Sequence, residues 1–382
     1  MTRTVRTTTP ALRHLVETGL IDKGLIETSL RVIADGQAPS GAFVASPTFA
    51  TYDYSWFRDG AFIADAMSRH GRHLEAEAFH RWCAGIVTDR RDRIADLVAR
   101  ARRGDLPAPE DHLRTRYTVE GREADGFWEN FQLDGYGTWL WALREHHRRT
   151  GRPLEVPVSV IDSLVEYLAT FADEPSYDWW EEHLEHRHVS TMVCIWAGLD
   201  AMASWEDVPP GVRERAAAAA ADIRDRVEAD GVVDGSLVKW LGSTAVDASL
   251  VACIVPLGFL DVDHPIALRT IERIEEELAP AGVHRYLDDV YYGGGQWILL
   301  AAFLAWYHVR AGNDERVEEL LTWIAGTADA DGNLPEQVAD GMLNPDHLAR
   351  WEAKWGPSAS PLLWSHAMLL SVVADLMETP SR

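Results

Sequence analysis

Glutamates set among aromatic rings are the residues of this chain best suited to do chemistry. The segment YDWWEEHLEHRH, residues 177–188, puts Glu181 and Glu182 directly behind Trp179 and Trp180. A carboxyl group held between apolar rings and beside a second carboxylate has its ionised form disfavoured twice, by desolvation and by like charge. One of the two can therefore stay protonated near neutral pH. Another glutamate, Glu336, sits in the loop DADGNLPEQ, residues 329–337. Two glutamates in separate loops, with no cofactor signature, fit glycoside hydrolysis. There one carboxylic acid protonates the leaving oxygen while a second carboxylate activates water on the opposite face.

Three further loops concentrate charged and aromatic groups. YDYSWFRDGAF, residues 52–62, places Arg58 and Asp59 behind Tyr52, Tyr54 and Trp56. The pair reads either as a solvated ion pair at a helix start, where an acid is electrostatically favoured, or as a functional pair; a surface cap needs no aromatic cluster. In GFWENFQLDGYGTWLW, residues 126–141, Trp128, Gln132 and Asp134 precede a helix that Asp134 can cap. HRYLDDVYYGGGQW, residues 284–297, combines Arg285, Asp288, Asp289, two tyrosines, three glycines and Trp297. Its glycine run lacks phosphate-loop spacing and more simply lets the backbone turn sharply or approach a ligand. The 329–337 loop has Gly332 at its fourth position, where an EF-hand calcium loop needs it at the sixth. His183, His186 and His188 offer a competing chemistry, a metal-dependent hydrolase. No HExxH motif or cysteine pair accompanies them, and loop histidines are commonly just solvated or hydrogen-bonded.

Apolar residues recurring at three and four predict the elements that carry these loops: about twelve helices, from 21–33 to 361–377. Among them 73–103 reads as one helix, 296–311 as another, and Ser360-Pro361 as the N-cap and first turn of the last. The one persuasive strand signal is VVDGSLV, residues 232–238, with Asp234-Gly235 as its turn. The chain therefore reads as nearly all-α. Helices alternating with long loops point to a closed ring of helix pairs, with an open helical solenoid as the competitor. No linker-like stretch divides residues 1–382, so a single domain is expected.

Composition narrows the partners. Sixty acidic against 36 basic residues leave a formal charge of −24, which repels nucleic-acid phosphates and anionic lipid. No apolar stretch approaches the roughly 20 residues that cross a bilayer, and residues 1–19 show no secretory h-region. Three scattered cysteines form no disulfide framework. A cytoplasmic protein without membrane or nucleic-acid partners is the expectation; oligomeric state is left open. Sixteen tryptophans outnumber the ten phenylalanines and ten tyrosines. Such rings fill a core or line a pocket for a flat, amphipathic ligand such as a sugar.

The blocks YDYSWFRD, WENFQLDG, YDWWEE, RYLDDVYYGGGQW and NLPEQ, in that order from Tyr52 onward, together with the terminal PLLWSHAMLL, resemble the glucoamylase-type enzymes of glycoside hydrolase family fifteen. The resemblance implies an (α/α)6 barrel with long loops forming a pocket at one end. It implies that Glu181 is the general acid and Glu336 the general base of an inverting, exo-acting enzyme that needs no cofactor or metal, with the two carboxyl groups roughly 6.5–9.5 Å apart. Arg58 and Asp59 match the pair that grips the non-reducing glucose. Tyr52 matches the tyrosine near the catalytic water, Trp128 the indole beside the acid, and Arg285 with Asp289 a charged wall around the first subsites. Glu182 would hold the aglycone sugar or keep Glu181 protonated, Glu336 would remain ionised, and Trp56, Trp180 and Trp297 would shape the pocket. The N-terminal β-sandwich of many bacterial members and the starch-binding domain of fungal ones are not expected. Glu129-Asn130-Phe131 stands where starch-acting relatives carry Gly-Arg-Pro. A short α-gluco-oligosaccharide, α-1,6-linked as in isomaltose, is the implied substrate, with maltose-type and trehalose substrates as alternatives.

Overall fold

A helix that is apolar on all sides must be buried on all sides, whereas one with a single apolar stripe needs only one neighbour. The chain alternates the two kinds. The computed structural model describes residues 23–153 and 155–378, and among these residues the helices are α1 (Lys23–Asp35), α2 (Phe57–Arg69), α3 (His73–Asp89), α4 (Arg91–Arg102), α5 (Asp134–Thr150), α6 (Val158–Phe171), α7 (Val189–Ala203), α8 (Pro210–Asp230), α9 (Leu250–Ile254), α10 (Pro265–Leu278), α11 (Ile298–Ala311), α12 (Asp314–Gly326), α13 (Leu348–Trp355) and α14 (Leu363–Glu378). The short strands β1 (Ser55–Trp56) and β2 (Arg116–Tyr117), β3 (Val232–Val233) and β4 (Ser236–Leu237), and β5 (Gln296–Trp297) and β6 (Gln337–Val338) form three separate antiparallel pairs.

Helices α2, α7, α11 and α14 are buried along nearly their whole length. Each inner helix packs on the next in the order α2, α5, α7, α9, α11, α14, and α14 packs back onto α2. That last contact decides between ring and solenoid: the architecture is an (α/α)6 barrel. The outer helices α3, α6, α8, α10 and α12 bury single stripes, and α1 closes the outer layer against α14. At the seam Phe62 of α2 stacks on Trp364 of α14, with ring centres 5.5 Å apart.

Several local expectations change. The single helix predicted over 73–103 breaks at Arg90, which leaves helical geometry and donates to the Ile86 and Gly121 carbonyls while covering the Tyr117 ring. Gln296 and Trp297 pair with residues 337 and 338 instead of beginning a helix. The last helix starts at Leu363 and not at Pro361, because the Leu362 and Leu363 amides bond the Leu334 and Ala45 carbonyls of neighbouring loops. The 232–238 hairpin forms as predicted: Asp234 and Gly235 both take positive φ, 50° and 76°, as its two-residue turn requires. Helix α13 was missed. The helix start at Ile21 and the reading of residues 1–19 lie outside the described residues.

Candidate active site

The inner helices point their N-terminal ends the same way, and the loops entering five of them, α2, α5, α7, α11 and α14, wall a cavity of about 480 Å³. Glu181 and Glu336 both line it, as do Tyr52, Trp56, Arg58, Asp59, Trp128, Trp180, Glu182, Arg285 and Trp297. Asp289 does not line it. Eight of the sixteen tryptophans are on this wall, which makes the indoles pocket lining as much as core. A larger depression, about 950 Å³, lies at the other end of the barrel among the C-terminal ends of the inner helices. Its arginines are consistent with the negative ends of six helix dipoles, and most are paired with acids.

Glu181 sits in a loop that must bend sharply, with φ of 65° at Glu181 itself. Non-glycine residues rarely adopt that conformation. Asp178 holds it: its buried carboxylate accepts the Trp180 and Glu182 amides at 2.9 Å each, and its backbone pairs with both Glu181 and Glu182. The Glu181 Oε1 atom accepts the Trp56 indole N–H at 2.7 Å and the Gln132 amide at 3.1 Å. Desolvation by burial pushes the Glu181 carboxyl up to about 7, against the pull of Arg58 and these donors. Glu182 does not press on Glu181 as an adjacent carboxylate; it turns to Arg285, at 3.3 Å, and to the Tyr286 hydroxyl.

Glu336 is held from the other side. Its amide bonds the Ala359 carbonyl, and its carbonyl accepts from Ile298 at the head of α11, next to the β5–β6 pair. Its Oε1 accepts the Tyr52 hydroxyl at 2.8 Å and its Oε2 the Ser358 hydroxyl at 3.3 Å; Tyr52 in turn meets the Tyr291 hydroxyl at 2.7 Å. Burial also pushes Glu336 up to about 7, with Tyr52 and Arg285 opposing. This departs from the expectation of an ordinary ionised carboxylate. The asymmetry between the two glutamates is in their donors: both oxygens of Glu336 accept, whereas only Oε1 of Glu181 does. Glu181 thus keeps an oxygen free for a proton.

Arg58 is anchored on Asp134 at 2.9 Å and on the Gln132 carbonyl oxygen at 2.8 Å, and lies 3.5 Å from Asp59. Arg58 Nε and Asp59 Oδ2 face each other at 3.5 Å without forming a hydrogen bond, and burial raises Asp59 to about 6. Buried polar atoms paired this loosely keep hydrogen-bonding capacity for a ligand. Asp134 is therefore more than a helix cap. Asp289 lies behind Arg285, bonding its Nε at 2.7 Å and the Tyr291 amide at 2.8 Å, so it positions the wall and does not form it. The Gly293–Gly295 run is a tight turn: a Cβ at Gly294 would fall 2.5 Å from the Asp289 carbonyl oxygen and one at Gly295 2.4 Å from that of Val338.

The three histidines gather around the Trp240 ring, with ring centres 4.1–5.9 Å from it. His186 stacks on Trp240 with ring centres 4.1 Å apart, and His188 bonds the His183 carbonyl. Among the described residues no group of three His, Cys, Asp or Glu side chains is arranged to hold a metal ion. No described helix is long and apolar enough to cross a membrane.

The model of the family described as "Glycosyl hydrolases family 15" matches residues 22–326. The chain belongs to that family. It is a glycoside hydrolase. An isomaltose glucohydrolase from Kribbella flavida is 47% identical over 355 residues, covering 92% of each protein. A glycosidase solved in complex with glucose superposes with a TM-score of 0.90 at 46% identity, over 92% of this chain and 96% of that one. A glucoamylase from Saccharomycopsis fibuligera shares the fold, with a TM-score of 0.73 at 16% identity over 96% of each chain. Within this family 15 site, sequence reasoning missed Tyr291, Ser358 and the α13 residues Trp351, Lys354 and Trp355 on the cavity wall. Tyr291 lay inside a block already singled out; α13 is too short for periodicity to reveal it.

Proposed function

We propose that the chain is an inverting, exo-acting α-glucosidase that releases β-D-glucose from the non-reducing end of short α-gluco-oligosaccharides, α-1,6-linked as in isomaltose. The observation that carries this reading is the pair of glutamates on one cavity, one bonded at both oxygens and the other at only one. Glu181 gives its proton to the glycosidic oxygen as the C–O bond breaks. Glu336 takes a proton from the water whose oxygen bonds the anomeric carbon from the opposite face, inverting α to β. Arg58 and Asp59 take hydroxyls of the terminal glucose, and fixing the ring in this way supplies part of the rate. Tyr52 holds Glu336 and the water, Trp128 and Trp180 flank the acid, Trp56 orients Glu181, Trp297 shapes the wall, and Arg285 with Glu182 meets the aglycone sugar. The isomaltose glucohydrolase likeness supports the α-1,6 preference.

The test has two parts. NMR of fresh product from isomaltose should show β-glucose before mutarotation; α-glucose first would mean retention. Comparing kcat/KM across isomaltose, maltose, nigerose, kojibiose, trehalose and dextran should put isomaltose highest, and a larger value for maltose or trehalose would overturn the linkage.

A further inference from the structure

Arg116 is a buried charge that the reaction scheme above leaves without a task. It is 5% exposed, and it pairs across β1–β2 with Trp56. Its guanidinium carbon lies 3.4 Å from the centre of the Trp128 ring, 4.3 Å from that of Tyr54 and 5.4 Å from that of Trp56. One nitrogen donates to the Thr51 carbonyl at 3.1 Å, while Nε has no partner. No described carboxylate forms an ion pair with it. Cation–π contacts contribute to its placement, but a buried guanidinium without a counter-anion is uncommon and costly.

We propose, on the footing of the function above, that Arg116 is a positioning residue for the proton donor: its unpaired cation, fixed behind Trp56 and Trp128, is a second countercharge, beside the shared Arg58, for the carboxylate that Glu181 becomes when it protonates the leaving oxygen. The same Trp56 that lies across the strand pair from Arg116 donates its indole N–H to Glu181 at 2.7 Å. Other charges around Glu181 are already engaged. Arg58 reaches Glu181 Oε1 at 3.9 Å but is shared with Asp134 and Asp59, Glu182 is turned toward Arg285, and Glu336 lines the same cavity. Glu129, on the loop after Trp128, adds negative charge near Arg116 without pairing with it. Burial pulls the Arg116 guanidinium down, Glu181 is the leading charge opposing this, and Arg116 in turn draws the Glu181 carboxyl down. A cation placed before charge develops lowers the barrier without reorganisation.

The sign follows. Removing the cation leaves Glu181 a weaker acid, so it stays protonated to higher pH and transfers its proton less readily. The experiment compares Arg116→Met, Arg116→Gln and Arg116→Lys with the parent on isomaltose and on α-D-glucosyl fluoride, whose fluoride leaves with little proton assistance. For Met and Gln, kcat/KM on isomaltose should fall at least about tenfold and on the fluoride less than about threefold, with the alkaline limb of the pH profile moved upward. Lys, which keeps the charge, should hold the parental substrate ratio and limb. Equal losses on both substrates with an unmoved limb would reduce Arg116 to a structural prop and overturn the proposal. So would a Lys variant whose limb shifts, a readout that remains if the uncharged variants fail to fold. A parent inactive on both substrates would instead sink the functional reading.

Discussion

At the scale of single residues, the site rests on two carboxyl groups with the same displaced affinity for protons and different hydrogen-bond environments. Burial brings both Glu181 and Glu336 to about 7, and the proposed reaction requires the first protonated and the second ionised. A bell-shaped kcat/KM profile peaking within about one unit of pH 7 is expected, its two limbs belonging to the coupled pair. Glu181→Gln and Glu336→Gln should each lower kcat at least about a thousandfold while glucose still binds in a calorimetric titration; near-parental turnover in either would remove that residue from the mechanism. The same burial costs stability. A carboxyl whose pKa rises from 4.5 to about 7 on folding binds more protons in the native than in the unfolded state across that interval, so stability falls as pH climbs from roughly 4.5 to 7. For Glu336 this amounts to on the order of 3 kcal/mol above pH 7. Glu336→Gln should therefore melt several degrees above the parent at pH 8, with the gap closing toward pH 5. An unchanged Tm difference across that range would show that the carboxyl is not buried as described.

At the scale of elements, the geometry of the site depends on how closely inner helices approach. Gly137 on α5 and Gly198 on α7 make their crossing possible: a Cβ on Gly198 would lie 2.3 Å from the Gly137 carbonyl oxygen, and one on Gly137 2.3 Å from that of Cys194. The loop before α5 brings Gln132, its first residue is Asp134, and α7 follows the Glu181 loop, so the crossing sets the distance between acid and anchor. Gly198→Ala should cost about 2–3 kcal/mol as the helices are forced apart, lowering Tm by several degrees in calorimetry. It should also depress kcat more than a comparable outer-helix substitution. The strand pairs have the same office: β5–β6 sets Trp297 beside Gln337, next to Glu336, and β1–β2 sets Trp56 opposite Arg116.

For the whole molecule, the closed ring aligns six helix N-termini at one end, and their partial positive charge favours anions there. Together with Arg58 and Arg285 this offsets part of the cost of crowding Asp59, Glu181, Glu182 and Glu336 into one cavity on a chain of charge −24. The chemistry proposed is metal-free, so exhaustive dialysis against EDTA should leave kcat unchanged in an isomaltose assay; activity that disappears and returns with a divalent ion would revive the metal-dependent alternative built on His183, His186 and His188.

The order of the loop blocks, the all-α periodicity and the 232–238 hairpin were legible in the chain because each depends on neighbours a few residues away, where helix period and turn chemistry act. Arg58 with Asp59, the Trp-Trp-Glu-Glu run and the Pro-Glu-Gln turn announced themselves the same way, by residue types that a surface loop does not need. Closure of the ring was the favoured expectation, but only the contact of α14 with α2, which joins segments about 300 residues apart, separates it from the open solenoid. The placing of Asp289 behind Arg285, the turning of Glu182 away from Glu181 and the raised proton affinity of Glu336 were not legible. Those are consequences of burial and of which distant donors arrive, and burial is fixed only when the helices have packed.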